Sequence, residues 1–395
     1  MMQYPFDRLT DRRNTDSLKY DFAEKRGKPR DILPLWVADM DFPAPPAVIE
    51  ALTEKSRHGI FGYSEGREDY FAALSGWYRQ NFGWEIRPEW LVKTPSVVFA
   101  LCAAIRAFTK EQDAVLIQQP VYYPFTESIV SNNRKLVVNQ LVYADGKYTI
   151  DLRNFEEKIV RNQVRLFILC SPHNPVGRVW TEEELTAMGD ICVKHGVIVV
   201  SDEIHADFVY PGRRHLVFAG LKPAFSDITV TCTAPSKTFN LAGLQISNIL
   251  IADSALRARF RHEIGKAGYS QPNVMGLVAC RAAYAYGQEW LDQLRAYLAG
   301  NLDCVRQFLQ TRIPQIRLVE PEGTYLVWLD CRGLGLDDRR REQLLVEKAG
   351  LWLDTGTMFG AGGEGFERVN IACPRATLKE ALDRLQKAVE NPPAT

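Results

Sequence analysis

A lysine that could bond covalently to a carbonyl compound lies just after an apolar stretch of the chain. Lys237 follows residues 228–231, which read as a buried strand, and it stands in the sequence Ser236-Lys237-Thr238. Partial desolvation at the end of such a strand lowers the pKa of a lysine and makes its amine available for Schiff-base chemistry. A lone Ser-Lys dipeptide is more often an ordinary surface loop. Lys237 is therefore a candidate only if other residues support it.

A carboxylate ends another apolar segment about 35 residues earlier. Asp202 follows residues 197–200, and His205 comes shortly after it. On a parallel sheet Asp202 and Lys237 would both lie at carboxyl ends of strands, where open α/β sheets bind ligands. A carboxylate there can keep the ring nitrogen of pyridoxal phosphate protonated and the ring electron-withdrawing. Taken alone, Asp202 could equally be a metal ligand or a helix cap.

Two further polar residues extend the pattern. Asn174 lies in the motif 170–177 that follows the apolar segment 166–169, and it precedes a proline, so it offers a side-chain donor in a rigid turn that suits the phenolic oxygen of such a cofactor. The alternative is an ordinary Asn-Pro turn. Arg368 lies in a strand-like segment, where a guanidinium can hold an α-carboxylate with two parallel hydrogen bonds. Arg375 follows a proline and is more simply a surface residue or the start of a helix.

The elements that must position these residues form a strand and helix alternation. Short runs rich in Val, Ile and Leu read as strands buried on both faces, which is typical of a mostly parallel sheet covered by helices. Between two of them Thr181 can cap a helix, Glu184 can complete a capping box, and Gly196 can end the helix. The resulting order predicts an α/β fold. The predicted strands are residues 114–117, 166–169, 197–200, 228–231 and 246–252.

The pattern changes after about residue 287. A long helical segment at 289–311 precedes strand-like segments at 323–329 and 368–372 and a final helix at 378–389. These segments predict a smaller α+β domain. The expected organisation is an N-terminal arm (1–45) that joins the small domain, a large domain (46–287) and a small C-terminal domain (288–395).

Composition excludes several classes of partner. Lys plus Arg and Asp plus Glu number 48 each, so no whole-molecule field favours nucleic acid or an anionic membrane. The eight cysteines are scattered singly, and the histidines show no metal-ligand spacing. No apolar run approaches about 18 residues, and no secretory signal is visible. We therefore expect a cytoplasmic protein without nucleic-acid, membrane or metal binding.

The four motifs, in their order along nearly the whole chain, resemble those of fold-type I pyridoxal-phosphate enzymes of the aspartate aminotransferase superfamily. The resemblance implies a large domain with a mostly parallel seven-stranded sheet flanked by helices, a pyridoxal 5'-phosphate cofactor, and a homodimer with shared active sites. More narrowly, the chain is similar to the cystathionine β-lyase and C-S lyase subgroup. The segments that carry this likeness are residues 36–42, 61–63, 120–125, 201–205 and 321–326.

The resemblance also implies roles for individual residues around the cofactor ring. Lys237 is expected to bind the cofactor covalently and to act in catalysis. Asp202 is expected to pair with the ring nitrogen, Asn174 and His205 to bond the phenolic oxygen, and Tyr122 to stack on the ring.

The phosphate and substrate groups have expected partners as well. Ser96, Val97 and Val98 lead into a helix whose backbone amides suit a phosphate, and Ser236 is a further cofactor contact. Tyr63 is expected to reach the phosphate of the neighbouring subunit and to take part in catalysis. The substrate carboxylate is expected to bind Arg368, with help from Asn174 and the backbone at Ala38.

Two positions depart from the wider superfamily. His205 stands where aminotransferases usually carry tyrosine, and the histidine recurs in the lyase subgroup. Gln245 stands where many members carry a phosphate-binding arginine, which leaves less positive charge near the phosphate.

Three functions remain open from sequence. The first is β-elimination, in which cystathionine or a related L-cysteine S-conjugate gives a thiol, pyruvate and ammonia. The second is amino transfer to a keto acid, which uses the same residues. The third is a regulatory protein on the same fold, which retention of Lys237, Asp202 and Asn174 disfavours. The motif at 360–365 fits the spacing of a dinucleotide fingerprint, but it precedes a strand and does not open a helix.

Overall fold

The computed structural model describes residues 3–391. Its strands are β1 (Leu33–Pro34), β2 (Leu91–Thr94), β3 (Ala114–Ile117), β4 (Lys135–Val138), β5 (Val142–Ala144), β6 (Lys147–Thr149), β7 (Leu166–Cys170), β8 (Ile198–Asp202), β9 (Thr229–Thr233), β10 (Ser247–Leu250), β11 (Arg317–Val319), β12 (Leu326–Asp330), β13 (Leu351–Trp352), β14 (Asp354–Thr355) and β15 (Phe366–Asn370). Its α-helices are α1 (Pro46–His58), α2 (Glu68–Phe82), α3 (Val97–Phe108), α4 (Pro124–Ser131), α5 (Leu152–Asn162), α6 (Glu182–His195), α7 (Pro223–Ser226), α8 (Pro235–Thr238), α9 (Ser254–Lys266), α10 (Val274–Tyr286), α11 (Gln288–Arg312), α12 (Asp338–Gln343) and α13 (Arg375–Glu390).

Seven strands form the central sheet in the order β2-β10-β9-β8-β7-β3-β4. The pairs among β9, β8, β7, β3 and β4 are parallel, whereas β10 is antiparallel to both of its neighbours. The expected mostly parallel seven-stranded sheet flanked by helices is therefore confirmed. All five predicted strands are present, with ends that differ by at most two residues.

The central strands are apolar at every position because both faces of the sheet are covered. In β7, Leu166 and Ile168 pack in a cluster with residues of α3 and α9. The alternate residues, Phe167 and Leu169, pack in a second cluster with residues of α5 and α6. Successive side chains of a strand point to opposite faces, so both sets must be apolar.

Helix α6 begins and ends where the sequence predicts. The Thr181 side chain accepts a hydrogen bond from the backbone of Glu184, and the Glu184 side chain accepts one from the backbone of Thr181. Gly196 follows with φ at 65°, the left-handed conformation that favours glycine at a helix end. The Thr181 cap stabilises the helix by about 1 kcal/mol. The turn at Gly196 returns the chain to the sheet as β8.

The C-terminal part contains the long helix α11, a four-stranded antiparallel sheet in the order β11-β12-β15-β14, and α13. The N-terminal strand β1 pairs with β13 of this part. The expected boundaries at residues 45 and 287 stay predictions, and residues 1, 2 and 392–395 of the two outer segments lie outside the described residues. Within the described chain, every helix is too short or too polar to cross a bilayer.

Candidate active site

A cavity of about 440 Å³ opens at the carboxyl ends of the central strands. It brings together ten residues that the sequence predicts to bind cofactor or substrate. Lys237 and Asp202, which come from different strands, face this same cavity. The ten are Ala38, Ser96, Val97, Val98, Tyr122, Asn174, Asp202, His205, Ser236 and Lys237.

Lys237 is carried by the one-turn helix α8, which starts two residues after β9 ends. Its Nζ donates a hydrogen bond to the Ala38 carbonyl oxygen at 2.9 Å. Burial lowers the pKa of Lys237 from the ordinary 10.5 to about 8; the negative charge of Asp39 opposes this shift, and the positive charge of Arg368 adds to it. The amine is therefore neutral in a substantial fraction of molecules near neutral pH, as a nucleophile or base requires.

Asp202 ends β8, and its Oδ1 accepts a hydrogen bond from the Ile204 backbone at 3.2 Å. Burial raises the pKa of Asp202 to about 7, a shift that the Ile204 hydrogen bond and the Lys237 charge oppose. A cationic group facing this carboxylate would favour its ionised form. His205 lies on the same loop, and burial lowers its pKa well below the ordinary value. Its Nδ1 is buried and makes no hydrogen bond within residues 3–391.

Asn174 joins the cavity to the C-terminal sheet. Its backbone carbonyl accepts a hydrogen bond from the Tyr122 backbone at 3.0 Å, which fixes Tyr122 at the cavity wall. Its side-chain oxygen accepts one from Arg368 Nη1 at 3.0 Å. Because that oxygen is occupied, the side-chain NH₂ of Asn174 is the group left to act as a donor toward the cavity.

The N-terminus of α3 closes one end of the cavity. Ser96 is extended, and its side chain caps the helix by accepting a hydrogen bond from the Phe99 backbone at 3.1 Å. The first backbone N–H groups of a helix have no partner within the helix, so Val97 and Val98 present donors to an anion there. Gln245 lines the same cavity.

Two predicted residues do not line this cavity. The Tyr63 side chain is exposed, with 96% of its surface accessible, and lines an adjoining open cavity that shares Pro95 and Gln245 with the first. Arg368 lies buried in β15 and donates to Trp36 O at 2.9 Å and to Asp354. The roles assigned to these two residues stay predictions.

Sequence reasoning missed Asp354 and Cys170. Asp354 forms a buried ion pair with Arg368, with both side chains 2% exposed, but it belongs to a two-residue strand without a detectable pattern. Cys170 lines the cavity beside Asn174, and its position at the end of an apolar strand was the available signal. Among residues 3–391, no cluster of three or more His, Cys, Asp or Glu side chains could hold a metal.

The loop that supplies the Ala38 carbonyl is held by Asn370 of the C-terminal sheet and by Asn240, which follows α8. Asn370 of β15 donates to the carbonyl oxygens of Val37 and Asp39 at 2.7 and 2.6 Å. Asn240 accepts from the Met40 backbone N–H at 3.0 Å and donates to its carbonyl oxygen at 2.9 Å. The position of the Ala38 oxygen is therefore fixed independently of Lys237.

Salt bridges to the N-terminal segment also hold this loop in place. Arg12 pairs with Asp39 at 2.6 Å and with Asp41 at 2.8 Å. Lys19, which is fully buried, pairs with Asp41 at 2.9 Å. Burying a lysine is costly unless a partner balances its charge, so this cluster fixes the loop against the N-terminal segment.

The sheet order, the lysine after β9 and the carboxylate at the end of β8 define a fold-type I pyridoxal-phosphate architecture. The chain belongs to the aminotransferase class I and II family, whose model matches residues 30–385. This confirms the resemblance found from sequence.

Individual relatives and solved structures carry more specific names than the family does. The chain is 44% identical over 384 residues to "Cystathionine beta-lyase PatB" of Bacillus subtilis (strain 168), covering 97% of this chain and 99% of that protein. Among solved structures, cystalysin from Treponema denticola, which contains a pyridoxal 5'-phosphate cofactor, superposes with a TM-score of 0.96 at 38% identity, covering 99% of this chain and 100% of that one. The PLP-bound C-S lyase from Staphylococcus hominis gives 0.92 at 32% identity, covering 98% of each chain.

Proposed function

We propose that this chain is a pyridoxal-phosphate-dependent carbon–sulfur β-lyase. It cleaves cystathionine or a related S-conjugate of L-cysteine to a thiol, pyruvate and ammonia. The observation that carries the proposal is the convergence of Lys237, Asp202, Asn174 and His205 on one cavity, in a chain 44% identical to a protein named cystathionine β-lyase.

The cavity fits the cofactor group by group. Lys237 offers an amine for the aldehyde, and the buried Asp202 offers a carboxylate for the ring nitrogen. Asn174 and His205 offer polar atoms for the phenolic oxygen, and the α3 N-terminus at Ser96 offers donors for the phosphate. When bound, pyridoxal phosphate supplies an aldehyde that takes up amines and a ring that withdraws electrons from the substrate α carbon.

Lys237 would act as the general base of the reaction, since its amine is free when the substrate amine has taken its place on the aldehyde. With a pKa of about 8 it can accept the proton from the substrate α carbon, and the Ala38 carbonyl orients its amine. The electron pair left by that proton forms a double bond between the α and β carbons, and the electron pair of the carbon–sulfur bond leaves on sulfur as a thiolate. The three-carbon fragment that remains would then take up one water and release ammonia and pyruvate. Asp202 would supply the negative charge that the ring nitrogen of the bound cofactor requires.

The substrate carboxylate is assigned to Arg368 and the backbone at Ala38. Hydrogen bonds to Asn174, Trp36 O and Asp354 fix the orientation of the guanidinium. Its Nε is buried without a hydrogen-bond partner within residues 3–391. An unpaired donor of this kind favours a carboxylate partner.

We also propose a homodimer located in the cytoplasm. Tyr63 belongs to an exposed apolar segment with Ile60 and Phe61, which are 66% and 56% exposed, and a second copy would cover it. In that dimer Tyr63 would reach the phosphate of the cofactor bound to the partner subunit. All eight cysteines are free thiols, which suits a reducing compartment.

The test is a substrate panel with purified protein and added cofactor. We expect pyruvate to form from L-cystathionine without any added keto acid. Lys237→Ala is expected to abolish both the visible absorbance of the protein-bound cofactor and pyruvate formation. Lys222→Ala, which removes an exposed lysine, is the matched control and should retain both.

The family name favours one alternative, an aminotransferase. Exchange of the amino group with a keto acid, in the absence of pyruvate, would establish that function in place of the lyase. Cofactor binding without either reaction would indicate a regulatory protein on this fold.

A further inference from the structure

The loop after β8 carries a second buried aspartate that none of the roles above uses. Asp207 follows Asp202 and His205 on this loop and is 6% exposed. Its Oδ2 accepts a hydrogen bond from the Thr238 hydroxyl at 2.6 Å. Thr238 is the last residue of α8 and directly follows Lys237. This bond therefore ties the loop that carries Asp202 and His205 to the helix that carries the lysine.

Asp207 is itself fixed from two other helices. Trp77 of α2 donates its Nε1 hydrogen to Asp207 Oδ1 at 3.1 Å. Arg295 of α11 donates from Nε to the Asp207 backbone oxygen at 2.6 Å, and its Nη2 lies 3.8 Å from Oδ1. These contacts satisfy a carboxylate whose burial raises its pKa. They also hold the carboxylate in place whether or not Thr238 bonds to it.

Helix α8 depends on contacts with the rest of the protein for its position. A four-residue helix has little stability of its own, so tertiary contacts must fix it. Among the described residues, side-chain hydrogen bonds leave α8 at two points, from Lys237 to Ala38 and from Thr238 to Asp207. The first ends on the reactive amine itself, so it changes when that amine reacts. The second remains, because Thr238 is buried away from the cavity.

We infer that Asp207 is a positioning residue that, through Thr238, sets the place of the Lys237 amine relative to Asp202 and His205. The inference rests on the proposed function, since it assigns Lys237 as the cofactor-binding base. The contact with Arg295 also links the lysine to α11 of the C-terminal part.

The test compares Thr238→Val, which keeps the shape and loses the hydroxyl, with Thr238→Ser, which keeps the hydroxyl. The pH titration of the visible absorbance of the bound cofactor reports the environment of Lys237 without any turnover. We expect Thr238→Val to shift the midpoint of that titration. We also expect it to lower kcat on cystathionine by about tenfold or more, with a smaller change in KM. Thr238→Ser should titrate as the parent protein does.

Asp207→Asn supplies an independent variant. It removes the charge, and it replaces one of the two oxygens that accept from Trp77 and Thr238 with an NH₂ group, which cannot accept a hydrogen bond. Because Asp207→Asn weakens the same bond that Thr238→Val removes, the double variant should lose no more than the larger single loss.

The outcomes separate the two proposals. If both single variants lower only the thermal midpoint and leave the absorbance titration as in the parent, the contact is merely structural and this inference is overturned. If the parent binds pyridoxal phosphate without any visible absorbance change, the proposed function is overturned as well. Additive losses in the double variant would overturn the claim that the two residues act through one bond.

Discussion

The lowered pKa of Lys237 gives a prediction that the cofactor-free protein can test. Burial lowers this pKa to about 8, so the amine loses its proton within a range where an ordinary lysine remains charged. At about pH 7.5 roughly a quarter of such amines are neutral, against roughly one in a thousand at a pKa of 10.5. The neutral fraction of Lys237 is therefore about 200-fold larger than that of an ordinary lysine.

Two substitutions should move this pKa in opposite directions. Asp39 follows Ala38, whose oxygen lies 2.9 Å from Lys237 Nζ, so its carboxylate is within about 10 Å of the amine. Asp39→Asn removes a negative charge that favours the protonated amine, and the pKa should fall. Arg368→Gln removes a positive charge that disfavours it, and the pKa should rise. For Asp39, about 10 Å away, the shift should be on the order of one pH unit at an effective dielectric constant of about 20.

The assay is reductive labelling of the protein with a small aldehyde and cyanoborohydride over a series of pH values. Peptide mass spectrometry measures the labelled fraction of Lys237, with the exposed Lys222 as an internal reference. The midpoint in pH, and not the absolute rate, is compared, because access to the two amines differs. Equal midpoints for the two lysines, or a midpoint that rises in Asp39→Asn, would refute the reasoning.

Two further predictions concern buried charge and cofactor affinity. Asp354→Asn leaves the Arg368 guanidinium buried without a counter-charge. The free energy of unfolding should therefore fall by about 3–5 kcal/mol and the thermal midpoint by several degrees. The double variant with Arg368→Gln should recover part of this loss, and single losses that simply add would count against a coupled pair. Gln245→Arg places a cation beside the end of the cavity that Ser96 closes, so pyridoxal phosphate should bind the apoprotein about tenfold more tightly. Gln245→Met, the neutral control, should not tighten binding. An unchanged dissociation constant for Gln245→Arg in an absorbance titration would place the phosphate elsewhere.

Sequence alone was sufficient where one local rule decided the structure. Helix α6 begins after Thr181 and ends before Gly196 because the capping residues act within a few positions of the helix ends. The central strands were recognisable because burial on both faces requires a continuous apolar run. Lys237 and Asp202 were found because each follows such a run, and parallel strands bring their carboxyl ends to one edge.

Contacts between distant segments had no comparable signal. The pairing of β1 with β13 joins two strands of two residues each, too short to show any periodicity. The predicted strand at 323–329 begins only at Leu326, because Thr324 adopts a positive φ of 68°. The bonds from Asp354 to Arg368 and from Asp207 to Thr238 depend on how the elements pack, which no local pattern encodes.

The Ala38 carbonyl shows why an N-terminal segment is part of this site. It accepts hydrogen bonds from Lys237 Nζ and from the Tyr325 hydroxyl, each at 2.9 Å. Tyr325 immediately precedes β12, whereas Lys237 follows β9 of the central sheet, so one oxygen bonds to groups from both sheets. Asn370 of β15 holds the carbonyls on either side of Ala38. A movement of the C-terminal sheet against the central sheet must therefore move the acceptor that orients the amine. Under the proposed function, this couples the substrate contact assigned to Arg368, on that same strand, to the position of the base.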